Sequence, residues 1–381
     1  MEFVKKPKIC YGGESFHGRV LKVNVSSKSK SFETPTKAPT TTEINAKQNV
    51  SFDGPFLNPI FEITQRFNNE ESVRSLHRKN GVFARRMREI NAHAESFKDR
   101  SIVKFYPQIA DDVTLSDRDM LSLIDLQIDS HLPIISLPEP SKNCSSDVFY
   151  NNFLKYWEYV YNRDPEATLM PYLNINQHHY LFRAKLKQLL EHEGALHTIG
   201  IKFASINEFR PNLMDLAELG KTEFWVHCSS VKRFPGWQAP NAQLHALQRF
   251  NIDTVSIEIP QGRGGGTKHY NTARYFDSNN MLIPPVKEIV DSEGNLSCDC
   301  PVCSNQNIND LASQLRPYVT KDRSLRTNMN DLFKVHEVYA STKEFELSRD
   351  NIKNDELTEY FKNKAGLKPY YKGEENQSRL F

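Results

Sequence analysis

No stretch of this chain approaches the roughly 18 consecutive apolar residues of a membrane-spanning helix, and residues 1–11 lack the apolar centre of a secretory signal. A membrane-embedded helical protein is excluded on that ground, and a cytoplasmic address is the expectation. A surplus of one charge is also missing: 49 Lys and Arg stand against 47 Asp and Glu, a formal net charge of +2. That balance does not demand a nucleic acid, so any such contact has to come from local distribution. Cysteine is scarce, with 6 in 381 residues, and Cys10, Cys144 and Cys228 lie far apart. A disulfide framework of the small secreted kind is therefore excluded. Low-complexity tracts longer than one short glycine run are absent. With 38% apolar and 25% charged residues, wholesale disorder is excluded too.

What is present is alternation. Short β-rich apolar runs at 132–137, 168–175, 195–203, 223–227 and 253–259 are interleaved with amphipathic stretches at 147–161, 180–192, 213–218 and 241–250. Repeated βα units of this kind build a parallel sheet. The length suits a (β/α)8 barrel of TIM type with insertions. The expected organisation is an N-terminal β extension over 1–50, a barrel over 51–285, a metal-binding subdomain over 286–349 and a polar tail over 350–381. Residues 69–100 suit helices and are densely basic, including Arg74, Arg78, Lys79, Arg85, Arg86 and Arg88. They form either a solvated helix face or a phosphate-facing patch.

The remaining cysteines are clustered in Cys298-Asp-Cys-Pro-Val-Cys303. This spacing lets one turn of chain present three soft thiolates to a tetrahedral ion, and His336, at the start of a helical stretch, completes a Cys3His set. A zinc ion held by four protein ligands has no position open to water, so its role is structural. The alternative is reduced thiols in a loop beside a surface histidine. His178, His179 and His227 are weaker ligand candidates.

The cysteine spacing followed by Leu332-Phe-Lys-Val-His-Glu-Val-Tyr339 resembles the zinc subdomain of the queuine- and archaeosine-type tRNA-guanine transglycosylases. Gly18-Arg-Val-Leu with Phe32-Glu-Thr-Pro35 and Ala38-Pro39 is similar to that family's opening strands. Asn251-Ile-Asp-Thr-Val-Ser-Ile-Glu-Ile-Pro260 is similar to its nucleophile strand. The resemblance implies a barrel, a structural zinc ion, a tRNA or DNA partner, and pentosyl transfer that exchanges guanine for a 7-deazaguanine. It also implies nucleic-acid contacts from Arg263 and Lys268 in the glycine-rich loop.

The family's catalytic aspartates are missing from their columns. Ser256 stands in place of the nucleophile, with Asp253 earlier in the same strand and Glu258 on the same face as Ser256. Of the family's Asp-Ser-Gly motif only Gln108 remains, in Ser101-Ile-Val-Lys-Phe-Tyr-Pro-Gln108, with Asp111 and Asp112 just downstream. After the next strand, Ile134-Ile-Ser-Leu-Pro-Glu139 offers Glu139 alone, and Asn174, Asn176 and Lys202 occupy other pocket positions. Three expectations follow. One is a non-catalytic paralogue that binds tRNA, as a homodimer or paired with a catalytic transglycosylase. The second is a base-exchange enzyme using rearranged acids among Asp253, Ser256 and Glu258. The third is a barrel enzyme of unrelated chemistry that keeps only the scaffold, since fold does not fix function.

Overall fold

The computed structural model describes residues 5–12, 16–25, 30–50, 54–77, 81–97, 101–192, 196–218, 224–232, 243–258, 274–285, 298–304 and 323–370. Strands β1 (Lys5–Gly12), β2 (Phe16–Val25) and β3 (Lys30–Glu33) form an antiparallel sheet. The chain then alternates: β4 (Thr36–Lys37), α1 (Thr41–Asn49), β5 (Ile60–Phe67), α2 (Glu70–Arg74), α3 (Gly81–Phe97), β6 (Ile102–Ile109), α4 (Asp117–Ile128) and β7 (Ile134–Leu137). It continues through α5 (Ser146–Arg163), β8 (Thr168–Asn174), α6 (His179–Leu190), β9 (Thr198–Lys202), α7 (Arg210–Ala217), β10 (Trp225–Val231), α8 (Gln243–Ala246) and β11 (Thr254–Ile257).

Strands β4-β11-β10-β9-β8-β7 make a six-stranded sheet, and β5 pairs with β6; all these pairings are parallel. The two sheets meet at both margins. Thr40 forms a parallel bridge with Glu62, whose amide donates to the Pro39 carbonyl at 2.9 Å. On the other side the Ser136 hydroxyl donates to the Phe105 carbonyl. The architecture is mixed α/β and consistent with a TIM-type fold.

Alternation along each strand sorts the side chains. Val103, Phe105, Ile135, Leu169, Leu173, Ile199, Ile201, Val226 and Val255 join the apolar cluster that includes Leu123, Phe153, Phe182 and Leu213 of the helices. The opposite face carries a second cluster at the amino ends of the strands, where Ile60, Ile102, Ile134, Met170 and Trp225 meet Leu21, Val23, Val25 and Phe32 of the antiparallel sheet. That sheet thereby covers the amino end of the parallel strands and leaves their carboxyl ends for chemistry. Gly200 is required on this inner face, because a Cβ there would lie 2.5 Å from the Tyr172 ring.

Two features of the described residues concern the ends of the chain. Strand β4 and helix α1 lie within the first fifty residues, yet β4 belongs to the parallel sheet. The tail is packed at least to Tyr370, with Leu357 and Phe361, one helical turn apart, and Leu367 and Tyr370 all buried. Within the strongly basic stretch Arg74 pairs with Glu70, and Arg85 and Arg86 with Glu89, at the surface, which favours the solvated face; Arg78 and Lys79 lie outside the described residues. No helix among the described residues is long and apolar enough to cross a membrane.

The antiparallel sheet is anchored by Arg19. Its Nε donates to Asp253 Oδ1 at 2.9 Å and its Nη2 to Asp253 Oδ2 and the Phe224 carbonyl, all buried. Truncating one partner of such a pair leaves a buried charge uncompensated, at a cost of about 3–5 kcal/mol. Arg19→Met is therefore expected to lower unfolding free energy in urea by that amount. A loss near zero would mean that the sheet is held by apolar contacts alone.

Candidate active site and metal centre

The inner face of the parallel strands holds a polar network above the apolar cluster. Glu62 on β5 is fully buried. Its Oε1 accepts from Ser256 Oγ at 2.6 Å and Thr64 Oγ1 at 3.0 Å. Its Oε2 accepts from Lys104 Nζ at 2.6 Å, Ser229 Oγ at 2.6 Å and His227 Nε2 at 2.8 Å. Burial alone would raise the Glu62 pKa, but the Lys104 ammonium and His227 hold it below the usual carboxylate range. Burial pushes His227 down to about 4, so it is neutral at pH 7. Trp225 Nε1 donates to Thr254 Oγ1 at 2.9 Å, and Thr254 Oγ1 lies 2.6 Å from His227 Nδ1. The Thr254 proton then points to Nδ1 and assigns the His227 proton to Nε2, facing Glu62. Lys104 Nζ also donates to Tyr172 Oη at 2.7 Å, and Tyr172 Oη contacts Ser229 Oγ at 2.7 Å.

Above this network the carboxyl ends of β6 to β9 frame a small open cleft of about 40 Å³, lined by Tyr106, Tyr172, Asn174, Lys202, Asp111 and Glu139. The Tyr106 and Tyr172 rings lie 4.7 Å apart and separate the cleft from Glu62. Lys202 donates to the Ile109 carbonyl at 2.7 Å and pairs with Asp111, while Asp112 is exposed. Asn174 Oδ1 caps the following turn by accepting from the Asn176 amide at 2.9 Å.

Glu139 follows β7, and only 6% of its side chain is exposed. Its Oε1 accepts from Lys185 Nζ at 3.0 Å and Gln177 Nε2 at 3.3 Å, and the Asn174 backbone also favours the carboxylate, whereas its Oε2 makes no well-formed hydrogen bond among the described residues. Burial pushes the carboxyl up to about 7, against the opposing Lys185 ammonium. A carboxyl that is half-protonated near neutrality can both give and take a proton.

Of the acids expected at the chemistry, Asp253 lies before β11 and serves the Arg19 anchor, and Ser256 donates to Glu62. Glu258 sits at the end of β11, its pKa raised by burial against Lys232 and Arg66. Arg263 and Lys268 lie outside the described residues. Glu62, Lys104 and Lys185 are not among the residues expected at the site. A charged residue inside each of the apolar runs Ile60-Phe-Glu-Ile and Ile102-Val-Lys-Phe was the available signal.

Cys298, Cys300, Cys303 and His336 come together with their ligand atoms within 4.8 Å of one another, a group that could hold a metal ion. Cys303 ends on the short helix Pro301–Ser304, and His336 belongs to the long helix Arg323–Lys353. His336 Nε2 donates to the Phe276 carbonyl at 2.9 Å, which turns Nδ1 toward the thiols as the lone-pair donor. Tyr275 stacks on the imidazole at 4.3 Å. Phe61 of β5 and Ile44 of α1 pack in the same apolar cluster as Cys300 and Val335, so the centre is tied to the parallel strands. His179 pairs with Asp215 and His227 with Glu62, leaving both outside this centre.

Fold and sites define an α/β protein with a parallel sheet, a buried ionic network and a Cys3His group. No protein-family model matches the chain. No curated protein matches it either. Among solved structures it aligns with a dihydrodipicolinate synthase family protein from Coccidioides immitis, at 9% identity and a TM-score of 0.36, over 82% of this chain and 87% of that one. A likeness that weak carries no argument about activity. The transglycosylase resemblance does not hold: no family model and no curated protein matches the chain to support it. Both functions built on it, the silent tRNA-binding paralogue and the base-exchange enzyme, fall with it. The residues agree, since Asp253 is committed to Arg19 and Ser256 to Glu62.

Because the folded state holds the Glu139 proton more tightly than the unfolded chain, ionising this group costs stability as pH rises from about 4.5 to about 7. Carbon-detected NMR of labelled glutamate side chains is expected to show one carboxyl titrating near 7 that disappears in Glu139→Gln. Titration of that resonance near 4.5 would show an exposed, unperturbed carboxyl.

Proposed function

We propose that strands β4 to β11 close into a (β/α)8 barrel whose carboxyl end is the active site of an enzyme that moves a proton on a small polar substrate. Closure is supported by the strand order, which follows the chain, and by the Thr40–Glu62 bridge and Ser136–Phe105 hydrogen bond joining the two sheets. Barrels of this kind work at the carboxyl ends of their strands. The observation that carries the reading is the buried Oε2 of Glu139 in the cleft, which makes no well-formed hydrogen bond among the described residues. Lys185 and Gln177 occupy Oε1, which leaves Oε2 for substrate. Tyr106 and Tyr172 floor the site, and Asn174 and Lys202 supply polar contacts.

Turnover of small oxo, hydroxy and amino acids followed by NMR in D2O tests this directly, because proton transfer to carbon appears as deuterium and bond cleavage as new resonances. A substrate is expected whose rate falls by about 10²–10⁴ in Glu139→Gln. An unchanged rate in that variant, or no turnover across the panel, sinks the reading.

The metal group fits zinc. Three thiolates and an imidazole with a satisfied second nitrogen are the donor set of closed tetrahedral sites, and full protein ligation makes the ion structural. Bound there, zinc would cross-link the segment around Cys298–Cys303 to the helix carrying His336. Elemental analysis is expected to find one zinc per chain, lost in Cys300→Ser together with a lower thermal midpoint. A metal-free wild-type chain with the same midpoint would overturn the assignment.

A further inference from the structure

The rim beside the Glu139 cleft, formed by the ends of β5, β6, β10 and β11, carries polar atoms that the network below does not use. Arg66 shares the face of Glu62 and Thr64 on β5, Gln108 that of Lys104 and Tyr106 on β6, and Glu258 that of Ser256 on β11. Arg66 and Gln108 are directly paired across β5 and β6. The Glu258 amide donates to the Val231 carbonyl at 2.8 Å, which sets Glu258 beside Ser230 and Lys232, and its carboxylate feels both Lys232 and Arg66. Ser230 has φ 63 at a break in the β10–β11 register. A serine held in the left-handed region at a strand's carboxyl end is backbone strain of the kind found at binding sites.

Two buried atoms on this rim, Arg66 Nη1 and Gln108 Oε1, have no hydrogen-bond partner among the described residues, and the Ser230 hydroxyl beside them turns to Tyr106. Gln108 and Ser230 are only 7% and 6% exposed. Buried polar atoms are nearly always satisfied, so a pair of orphans on one rim calls for a missing partner. Their chemistry specifies it. Guanidinium nitrogen only donates and the amide oxygen only accepts. A ligand completing both offers an acceptor oxygen to Arg66, best an anionic one, and a hydroxyl donor to Gln108.

We infer that this rim is a binding subsite for a small hydroxylated anion, a hydroxy-carboxylate or a sugar phosphate, lying next to the Glu139 cleft. The inference rests on the reading of this barrel end as the ligand-binding end, and it names the substrate class for it. Lys232 adds long-range attraction for the anion, and Glu258 offers a second acceptor for its hydroxyl groups.

Calorimetric titration of the full chain with L-malate, glycerol 3-phosphate and inorganic phosphate tests it. Malate or glycerol 3-phosphate is expected to bind with one site per chain, whichever does so identifying the carboxylate or the phosphate as the anion. Affinity should fall at least about tenfold in Arg66→Met. Gln108→Leu should weaken the hydroxylated probes and leave inorganic phosphate unaffected. No binding of any probe, or equal binding by Arg66→Met and wild type, overturns the subsite and leaves ordered water as the partner of these atoms. Binding lost in Glu139→Gln but kept in Arg66→Met also overturns it, by placing the ligand wholly in the cleft. If probe binding depends on Arg66 while Glu139→Gln retains full turnover, the subsite stands and the proton-transfer role of Glu139 falls.

Discussion

A carboxylate with no exposed surface, Glu62, stands inside the parallel strands, and its neighbours are arranged to keep it charged. An isolated charge in that position would cost far more than a domain's net stability. Hydrogen bonds from Lys104, His227, Ser229, Ser256 and Thr64 offset the cost and come from β5, β6, β10 and β11 together. The network thereby constrains strand register. A slip of one residue in β6 would turn Lys104 out among the helices and leave Glu62 facing Phe105.

Two buried carboxyls only a few strands apart thus acquire opposite character. Glu62 accepts on both oxygens from an ammonium, an imidazole and hydroxyls, and its pKa is held low. Glu139 faces Lys185 through one oxygen only, and burial prevails, so its pKa rises to about 7. The difference is one of satisfaction rather than depth, and it separates a carboxylate that holds the fold from one available for proton transfer.

The rest of the chain keeps this arrangement closed at one end and open at the other. The antiparallel sheet, anchored through Arg19 and Asp253, covers the amino ends of the strands. The long C-terminal helix fastens the opening segment from outside, with Arg349 donating to the Pro35 carbonyl and Lys353 reaching Glu33. His336 projects from that helix into the Cys3His group, so a metal ion there would reinforce a seam between the two ends of the sequence.

The βα alternation was legible because hydrophobic period is local: the strands at 168–174 and 254–257 and the helices at 146–163 and 179–190 fall within a few residues of their expected positions. The Cys3His group was legible for a related reason, since three of its ligands lie within six residues and a soft-metal donor set is a matter of residue type. The family resemblance misled because short motifs at strand ends recur wherever strands need the same capping and packing. Asp253 illustrates this, since the sequence marks an acid at a strand start but does not show that Arg19, 234 positions earlier, consumes it. What only the tertiary structure decided is which polar residues are paired and which are left over. Glu62, Lys104 and His227 come from distant parts of the chain, and the vacant oxygen of Glu139 exists only because Lys185 and Gln177 reach its other one. Periodicity is written along the chain, whereas the charge state of a buried group is set by partners that only folding brings within 3 Å.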